Sequence, residues 1–243
     1  MSRAIPPLDP DLLLRAYTIG VFPMADSREA PSVYWVEPRE RAVLPLDGFH
    51  LSKSLRKTLR ADRYETTSNH AFRDIVRLCA EAAPDRPATW INSQIEAGFV
   101  TLHQRGHAHS IETWSDGVLV GGLYGLSLGR AFFGESMVSR APDASKVALA
   151  HLVARLRTGG YSLLDCQFMT PHLASLGALE VSRDDYMELL EAAVSDSVSE
   201  AASGGAAGDW RAFDRVDEDG ASSVTVSGPP SGCRIVQALV HTS

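Results

Sequence analysis

Two acidic residues stand where charge is costly. Glu135 lies in Phe132-Phe133-Gly134-Glu135-Ser136-Met137 and Asp165 in Leu163-Leu164-Asp165-Cys166-Gln167, both inside otherwise apolar, strand-like runs. Charges in such places are rarely fully buried unless they are paired or functional. Gln167 follows Asp165 by two residues, so on a strand the two side chains share a face. Gln167 can accept and donate hydrogen bonds, and Asp165 can polarise or orient it. Pairing of Glu135 with Arg130 or Arg140 is the structural alternative, because ion-pair networks mimic sites.

Other constellations carry less. His107 and His109, with His103 nearby, have no Cys or carboxylate to complete a ligand set, so no metal is expected. Ser136 and Ser139 lack a G-x-S-x-G context, which argues against a hydrolase triad. Gly121-Gly122 and Gly125 sit within a strand pattern rather than at a strand-to-helix turn. They read as a bulge or a close backbone approach, not as a dinucleotide fingerprint.

The elements that must hold the acids follow from periodicity. Residues 107–138 read as three antiparallel strands, with turn signals at Ser115-Asp116-Gly117 and Leu128-Gly129. A helix follows from Ala141 through Leu156, closed by Gly159-Gly160, and a strand returns over Tyr161–Cys166. Thr170-Pro171 opens a short helix ending at Gly177, and Asp184 to about Val194 forms another. The order β-β-β-α-β-α predicts an α+β fold with a helix covering a mixed sheet. Leu123, Phe132, Met137, Leu149, Leu152 and Leu164 would line the space between sheet and helix. That set is ordinary core, or core from which a pocket for a bulky apolar side chain is carved.

Ahead of this block, residues 11–17 read as a short helix, Val21–Met24 as an apolar loop, and Val33–Trp35 and Ala42–Pro45 as short strands. They suggest a small N-terminal domain over residues 1–44, leaning on a main domain over 45–198. Leu51, Leu55 and Leu59 mark one face of a helix over 51–61. Lys53, Arg56, Lys57 and Arg60 mark another face, and Arg63 follows just beyond. Such a face is either merely solvated or a ridge for phosphates, and the lack of Asp or Glu between 48 and 61 favours the ridge. Helices over 70–83 and 93–105 flank Trp90. Residues 199–208 read as a flexible linker in a tail spanning 199–243, and Arg234–Val240 as a last strand added to the sheet.

Composition sets the outer limits. The chain has 243 residues, 44% hydrophobic and 22% charged, as in a globular protein with one large domain or one domain plus a small one. The apolar stretch Gly117–Gly134 is Gly-rich and holds Arg130, so it does not read as a membrane span. The first residues lack the basic and apolar regions of a signal peptide. Three scattered cysteines without a CxxC pair fit a reducing, cytoplasmic setting. The net charge of −7 argues against nonspecific coating of nucleic acid, though a local cluster overrides it.

Several motifs then fall in register. They are Ala16-Tyr17-Thr18-x-Gly20-Val21-Phe22-Pro23-Met24, Arg41-Ala42-Val43-Leu44, Thr89-Trp90-Ile91 and Gly106-His107-Ala108-His109-Ser110-Ile111-Glu112. Gly121-Gly122-Leu123-Tyr124-Gly125, Phe133-Gly134-Glu135-Ser136-Met137, Ala144-Ser145-Lys146, Asp165-Cys166-Gln167 and Ala174-Ser175-Leu176-Gly177-Ala178 complete the set. From about residue 10 to about 195 the chain resembles the leucyl/phenylalanyl-tRNA–protein transferases of bacteria.

That resemblance implies a small N-terminal domain and a main domain like the GCN5-related acetyltransferases. It implies transfer of leucine or phenylalanine, and methionine less well, from charged tRNA to a protein's N-terminal Arg or Lys, creating a destabilising N-terminus. Asp165 and Gln167 would match the pair that activates the incoming amine, and Glu135 the acid of the Gly-Glu-Ser-Met strand. Leu123, Phe132, Met137, Leu149, Leu152 and Leu164 would form the aminoacyl side-chain pocket. Met24, where an aromatic is common, and Trp90 would meet the terminal adenosine. Lys53, Arg56, Lys57, Arg60 and Arg63 would hold the acceptor stem. No cofactor is implied, and nothing demands an oligomer, so a monomer is expected. An acyl-CoA-dependent N-acetyltransferase is disfavoured because Ala141-Pro142-Asp143-Ala144-Ser145 lacks the glycines that cradle a pyrophosphate. A noncatalytic tRNA-binding module would leave the two acids unexplained.

Overall fold

A computed structural model describes residues 8–82, 88–199, 207–215 and 229–240. Its centre is a seven-stranded mixed sheet in the order β4-β5-β6-β7-β8-β3-β9. The strands are β3 (Glu40–Val43), β4 (Glu65–Ser68), β5 (Ala108–Ser115), β6 (Val118–Leu128), β7 (Ala131–Ser139), β8 (Leu163–Asp165) and β9 (Leu179–Ser182). β5, β6 and β7 form the expected meander, and β8 joins β7 in parallel through α5 (Ala144–Thr158). β3, within the stretch read as the N-terminal domain, lies between β8 and β9 in this large sheet.

Period-two alternation divides the core. Phe132 and Leu123 pack under α5 with Leu149, Leu152 and Leu164. Their neighbours Phe133 and Tyr124 face the other side, toward α1 (Pro10–Thr18), α3 (Phe72–Ala80), α4 (Ser93–Gln104) and α7 (Arg183–Ser199). The helix starts are written locally. Asp9, Ser52, Asn92 and Thr170 each accept a backbone N–H at the head of α1, α2 (Lys53–Arg60), α4 and α6 (Pro171–Ser175). At Gly121 a β-carbon would come within 2.7 Å of Ala144 Cβ, so the glycine lets α5 start directly on the sheet.

Two expectations are corrected. Phe22–Met24 is not a loop but strand β1, paired with β2 (Tyr34–Val36) in a separate two-stranded sheet. Gly232–Val240 is not a strand but helix α9, preceded by the short α8 (Ala212–Arg215). The run Ile235-Val236 carries β-branched residues, yet the pair buries against α2 and α5 on one face of a helix, where packing overrides propensity. Of the segment read as a flexible linker at 199–208, residues 200–206 lie outside the described residues. Ser199 ends α7, and Gly208 is tied to the fold by its N–H, which donates to the Gly129 carbonyl at 3.0 Å.

Candidate active site

β7 and β8 pair only from Ala131–Phe133 to Leu163–Asp165. β7 runs on to Ser139, while the chain leaves β8 at Asp165. Where the two part, a cavity of about 190 Å³ opens, lined by Leu123, Met137, Leu149, Leu152 and Leu164 together with Glu135 and Gln167. Five of the six expected pocket residues thus meet there. Phe132 does not line the cavity, because its ring stacks on Trp210, 5.5 Å between centroids.

Glu135 is aimed by an irregularity in the strand. Tyr124 pairs with Ser136 and Gly125 with Gly134, so Glu135 is the extra residue of a β-bulge. A β-carbon on Gly125 would lie 2.2 Å from the Phe133 carbonyl oxygen, so the close approach there requires glycine. The carboxyl does not pair with Arg130 or Arg140. Its Oε1 accepts from Tyr17 Oη at 2.7 Å and from Gln167 Nε2 at 3.2 Å. Burial pushes the Glu135 carboxyl up to about 8, overcoming the opposing hydrogen bond from Tyr17. Burial and then the neighbouring Glu135 hold the Tyr17 phenol well above its ordinary value, so Tyr17 remains a donor.

Asp165 has a different environment. It is wholly buried and faces Arg41, itself 2% exposed. Arg41 Nε reaches Oδ1 at 3.0 Å and Nη2 reaches Oδ2 at 2.7 Å, a two-pronged ion pair. Tyr186 Oη donates to Oδ2 at 2.9 Å, and the Gln167 backbone N–H donates to Oδ1 at 2.8 Å. Arg41 also donates to the Gly20 carbonyl at 2.8 Å and lies over the rings of Phe22 and Tyr186.

Asp165 and Gln167 do come together, but not by strand alternation. Gln167 has φ +56°, left-handed backbone that a non-glycine residue adopts only when its surroundings enforce it. Asp165 Oδ1 grips the N–H of that turn, while Ala42 N–H donates to the Gln167 carbonyl at 3.0 Å. The turn swings the amide of Gln167 toward Glu135 rather than toward Asp165.

The remaining expected residues fall in two places. Met24 and Trp90 are both half-buried against the same core, joined by a bond from Ala25 N–H to the Trp90 carbonyl at 3.1 Å. Lys53, Arg56, Lys57 and Arg60 line a shallow depression of about 550 Å³ along α2, whose first turn carries no acid. Arg63 is exposed beyond the end of the helix. The histidines serve separate structural ends. His103 Nδ1 meets the Ala108 carbonyl at 2.8 Å, and His109 bonds Asn69 and stacks on Trp210.

Comparison with known proteins gives the family. Residues 43–191 match the family model described as leucyl/phenylalanyl-tRNA protein transferase, and residues 7–39 match that of its N-terminal domain. The chain belongs to this family. A leucyl/phenylalanyl-tRNA–protein transferase of Rhizorhabdus wittichii is 60% identical over 97% of this chain and 99% of its own. Similarly named proteins of Zymomonas mobilis and Paramagnetospirillum magneticum are 56% and 58% identical, over 86% and 79% of this chain and 76% and 91% of theirs. Among solved structures, FemX aligns with a TM-score of 0.48 at 11% identity, over 71% of this chain and 66% of that one. In the site of this family member, Tyr17, Arg41 and Tyr186 are the residues that sequence reasoning misses. Arg41 falls between the two matched ranges, and Tyr17 lies inside the 7–39 range. Tyr17 and Arg41 stand in the motifs above and Tyr186 beyond them, all without a local sign of a partner. No helix among the described residues is long and apolar enough to cross a membrane.

Proposed function

We propose that this protein transfers leucine or phenylalanine, and methionine less well, from aminoacyl-tRNA to the N-terminal Arg or Lys of acceptor proteins in the cytoplasm, as a monomer. The new peptide bond would mark the acceptor for degradation by its N-terminal residue. The observation that carries the reading is the bulged Glu135 with Gln167 at the mouth of an apolar cavity, within a chain of this family. A cavity of about 190 Å³ is smaller than the roughly 300–1,000 Å³ that hold whole drug-sized ligands, and it suits one side chain. Aliphatic walls discriminate one methylene by only ~1–3 kcal/mol, so selection among Leu, Phe and Met is loose.

The parting of parallel β7 and β8 supports a main domain like the GCN5-related acetyltransferases over residues 45–198 that also takes β3 into its sheet. The separate β1–β2 sheet supports a small domain within 1–44 ahead of it. The basic face of α2 supports acceptor-stem binding by Lys53, Arg56, Lys57, Arg60 and Arg63. The nearness of Met24 and Trp90 supports a seat for the terminal adenosine.

In the reaction the acceptor amine attacks the ester carbonyl carbon, and the bond to the ribose oxygen breaks. An N-terminal amine has an ordinary pKa of about 7.7–8.0, and Glu135 at about 8 is matched to it. Glu135 takes the amine's proton as its carboxylate and passes it to the departing 3′-oxygen, which leaves as a hydroxyl. With Nε2 given to Glu135, the Gln167 amide oxygen is free to accept an amine N–H and orient the nucleophile. Asp165 touches no substrate in this scheme. It positions the Gln167 turn, held in place by Arg41.

The test mixes purified protein with radiolabelled leucyl-tRNA and a model protein beginning with Arg, beside Glu135→Gln. Label passing to the protein with the natural chain, and at least about a hundredfold more slowly with the variant, is the expected result. Charged tRNA that binds but is never consumed would overturn the reading.

A further inference from the structure

Residues 207–215 and 229–240 lie beyond the 43–191 span of the family match, yet they are built into the fold. Gly208 and Asp209 donate backbone N–H groups to the carbonyls of Gly129 and Gly159, at 3.0 and 2.9 Å. Arg155 on α5, 1% exposed, binds the Trp210 carbonyl at 2.7 Å and both carboxylate oxygens of Asp214 at 2.6 and 2.7 Å. Arg234 on α9 donates to the Phe213 carbonyl and lies over its ring, 4.6 Å from the centroid. α8 is thus pinned to α5, and α9 is pinned to α8.

From this anchorage α9 reaches α2. Ile235 and Val236 bury against Leu55 and Leu59, the apolar stripe behind the basic face, with Phe213 and Val147 completing the cluster. Gly232 N–H donates to Asp62 Oδ1 at 2.6 Å, just past the end of α2. The backbones meet so closely that a β-carbon on Gly232 would lie 1.9 Å from the Leu59 carbonyl oxygen. α2 has eight residues, far fewer than the roughly 12–15 at which an isolated helix becomes even marginal in water. Packing from behind must therefore fix both its existence and its direction.

We infer that the C-terminal helix α9 is the brace that sets the position of the basic helix α2, and so determines affinity for the acceptor stem of the donor tRNA without entering acyl transfer. This rests on the tRNA-binding reading of α2 given above. Side chains that track a phosphate backbone must match its spacing, so a tilt of the helix separates Lys53, Arg56, Lys57 and Arg60 from their phosphates together. The cavity at Glu135 shares only α5 with this brace. Leu149 and Leu152 line the cavity, whereas Val147, Ala150 and Ala154 meet α9, and the close contact at Gly232 is with Leu59 and Asp62 rather than with α5.

The experiment measures kcat and KM for leucyl-tRNA at several salt concentrations, and for 3′-O-leucyl-adenosine, a donor too short to reach α2. In Gly232→Ala the KM for leucyl-tRNA should rise about fivefold or more, with a salt slope shallower by about one for each phosphate that α2 releases. Its kcat, and its rate with leucyl-adenosine, should stay near those of the natural protein. Gln237→Ala, on the exposed side of α9, should change nothing. If Gly232→Ala does not fold, Val236→Ala carries the same test with a smaller expected effect. An unchanged KM and salt slope, or an equal loss with leucyl-adenosine, overturns the brace. Replacing Lys53, Arg56, Lys57 and Arg60 by Ala separates the two ideas. If that variant keeps its affinity for leucyl-tRNA, the tRNA reading of α2 is at fault rather than the brace.

Discussion

Asp165 and Glu135 lie on neighbouring parallel strands, both buried, and the chain treats them in opposite ways. Asp165 faces a guanidinium, a phenol and a backbone N–H, so both of its oxygens are occupied. Glu135 has a phenol and an amide on one oxygen and, among the described residues, no cation in hydrogen-bond contact. Burial therefore drives Glu135 toward its neutral form, to about 8, while the ion pair ties Asp165 to Arg41. Depth alone does not assign a role. The partner does: a carboxylate with its own cation holds geometry, and one without it can hold and release a proton near neutral pH.

The comparison breaks most directly at Arg41. Arg41→Met removes the cation and leaves Asp165 as an unpaired buried charge, at an expected cost of about 3–5 kcal/mol in denaturant unfolding. A melt indistinguishable from that of the natural protein would mean the ion pair is not what holds the Gln167 turn. Glu135→Gln should do the reverse. It keeps the shape and the buried amide can still bond to Tyr17, so folding changes little, while kcat/KM falls about 10²- to 10⁴-fold. The part of the rise in rate toward pH 8 that belongs to Glu135 should be lost with it, leaving the shallower rise set by ionisation of the acceptor amine. A fall of less than tenfold would remove Glu135 from proton transfer.

The two acids differ just as much in how far they can be read beforehand. Their presence in apolar strands and the Leu55–Leu59 stripe of α2 follow from local pattern. The meander and α5 follow from turn, start and stop residues, since α5 is buried from Val147 through Leu156 and shows no single apolar face. The partners that distinguish the acids follow from neither. Tyr17 is 118 residues from Glu135 and Arg41 is 124 from Asp165, and nothing local in either segment announces such a contact. The bulge at Glu135 has a trace in Gly125 and Gly134, glycines within strands, but the register that makes Glu135 the extra residue appears only once β6 and β7 are paired. Of the strands that the sequence reading misses, β1 belongs to the separate two-stranded sheet, and β4 and β9 lie at the two edges of the large one. Glu65-Thr66-Thr67-Ser68 has no apolar residue to mark it. Leu179-Glu180-Val181-Ser182 alternates over four residues only, too short a run to stand out, with Leu179 exposed at the sheet edge. As with the acids, the apolar residues of α9 are visible in the sequence but its partner α2 is not.

A gentler test uses pH on stability alone. In the folded protein Glu135 keeps its proton up to about 8, whereas an ordinary carboxyl loses it near 4.5. Between those values the folded state binds more protons than the unfolded chain, so the contribution of Glu135 to stability is full below the lower value. It declines as pH rises toward and through the upper one. Unfolding free energies measured from pH 5 to 9 should fall along this window, and Glu135→Gln should flatten that part of the slope. An unchanged slope in the variant would place the proton elsewhere.

The smallest change is at Tyr17, and it sharpens the contrast instead of breaking it. Tyr17→Phe deletes one hydrogen bond to Glu135 Oε1 and leaves the ring packed edge-on against Phe133, 5.0 Å between centroids. Loss of one bond costs about 1 kcal/mol of stability. The direction of its second effect is the informative part. Tyr17's hydrogen bond is the largest influence opposing the rise of the Glu135 pKa, so its removal moves that pKa further up. The rise of kcat/KM with pH should then shift to higher pH in Tyr17→Phe, with the plateau rate much less affected than in Glu135→Gln. A shift to lower pH would mean that Tyr17 stabilises the protonated acid, and that the proton on Glu135 is held by something other than burial.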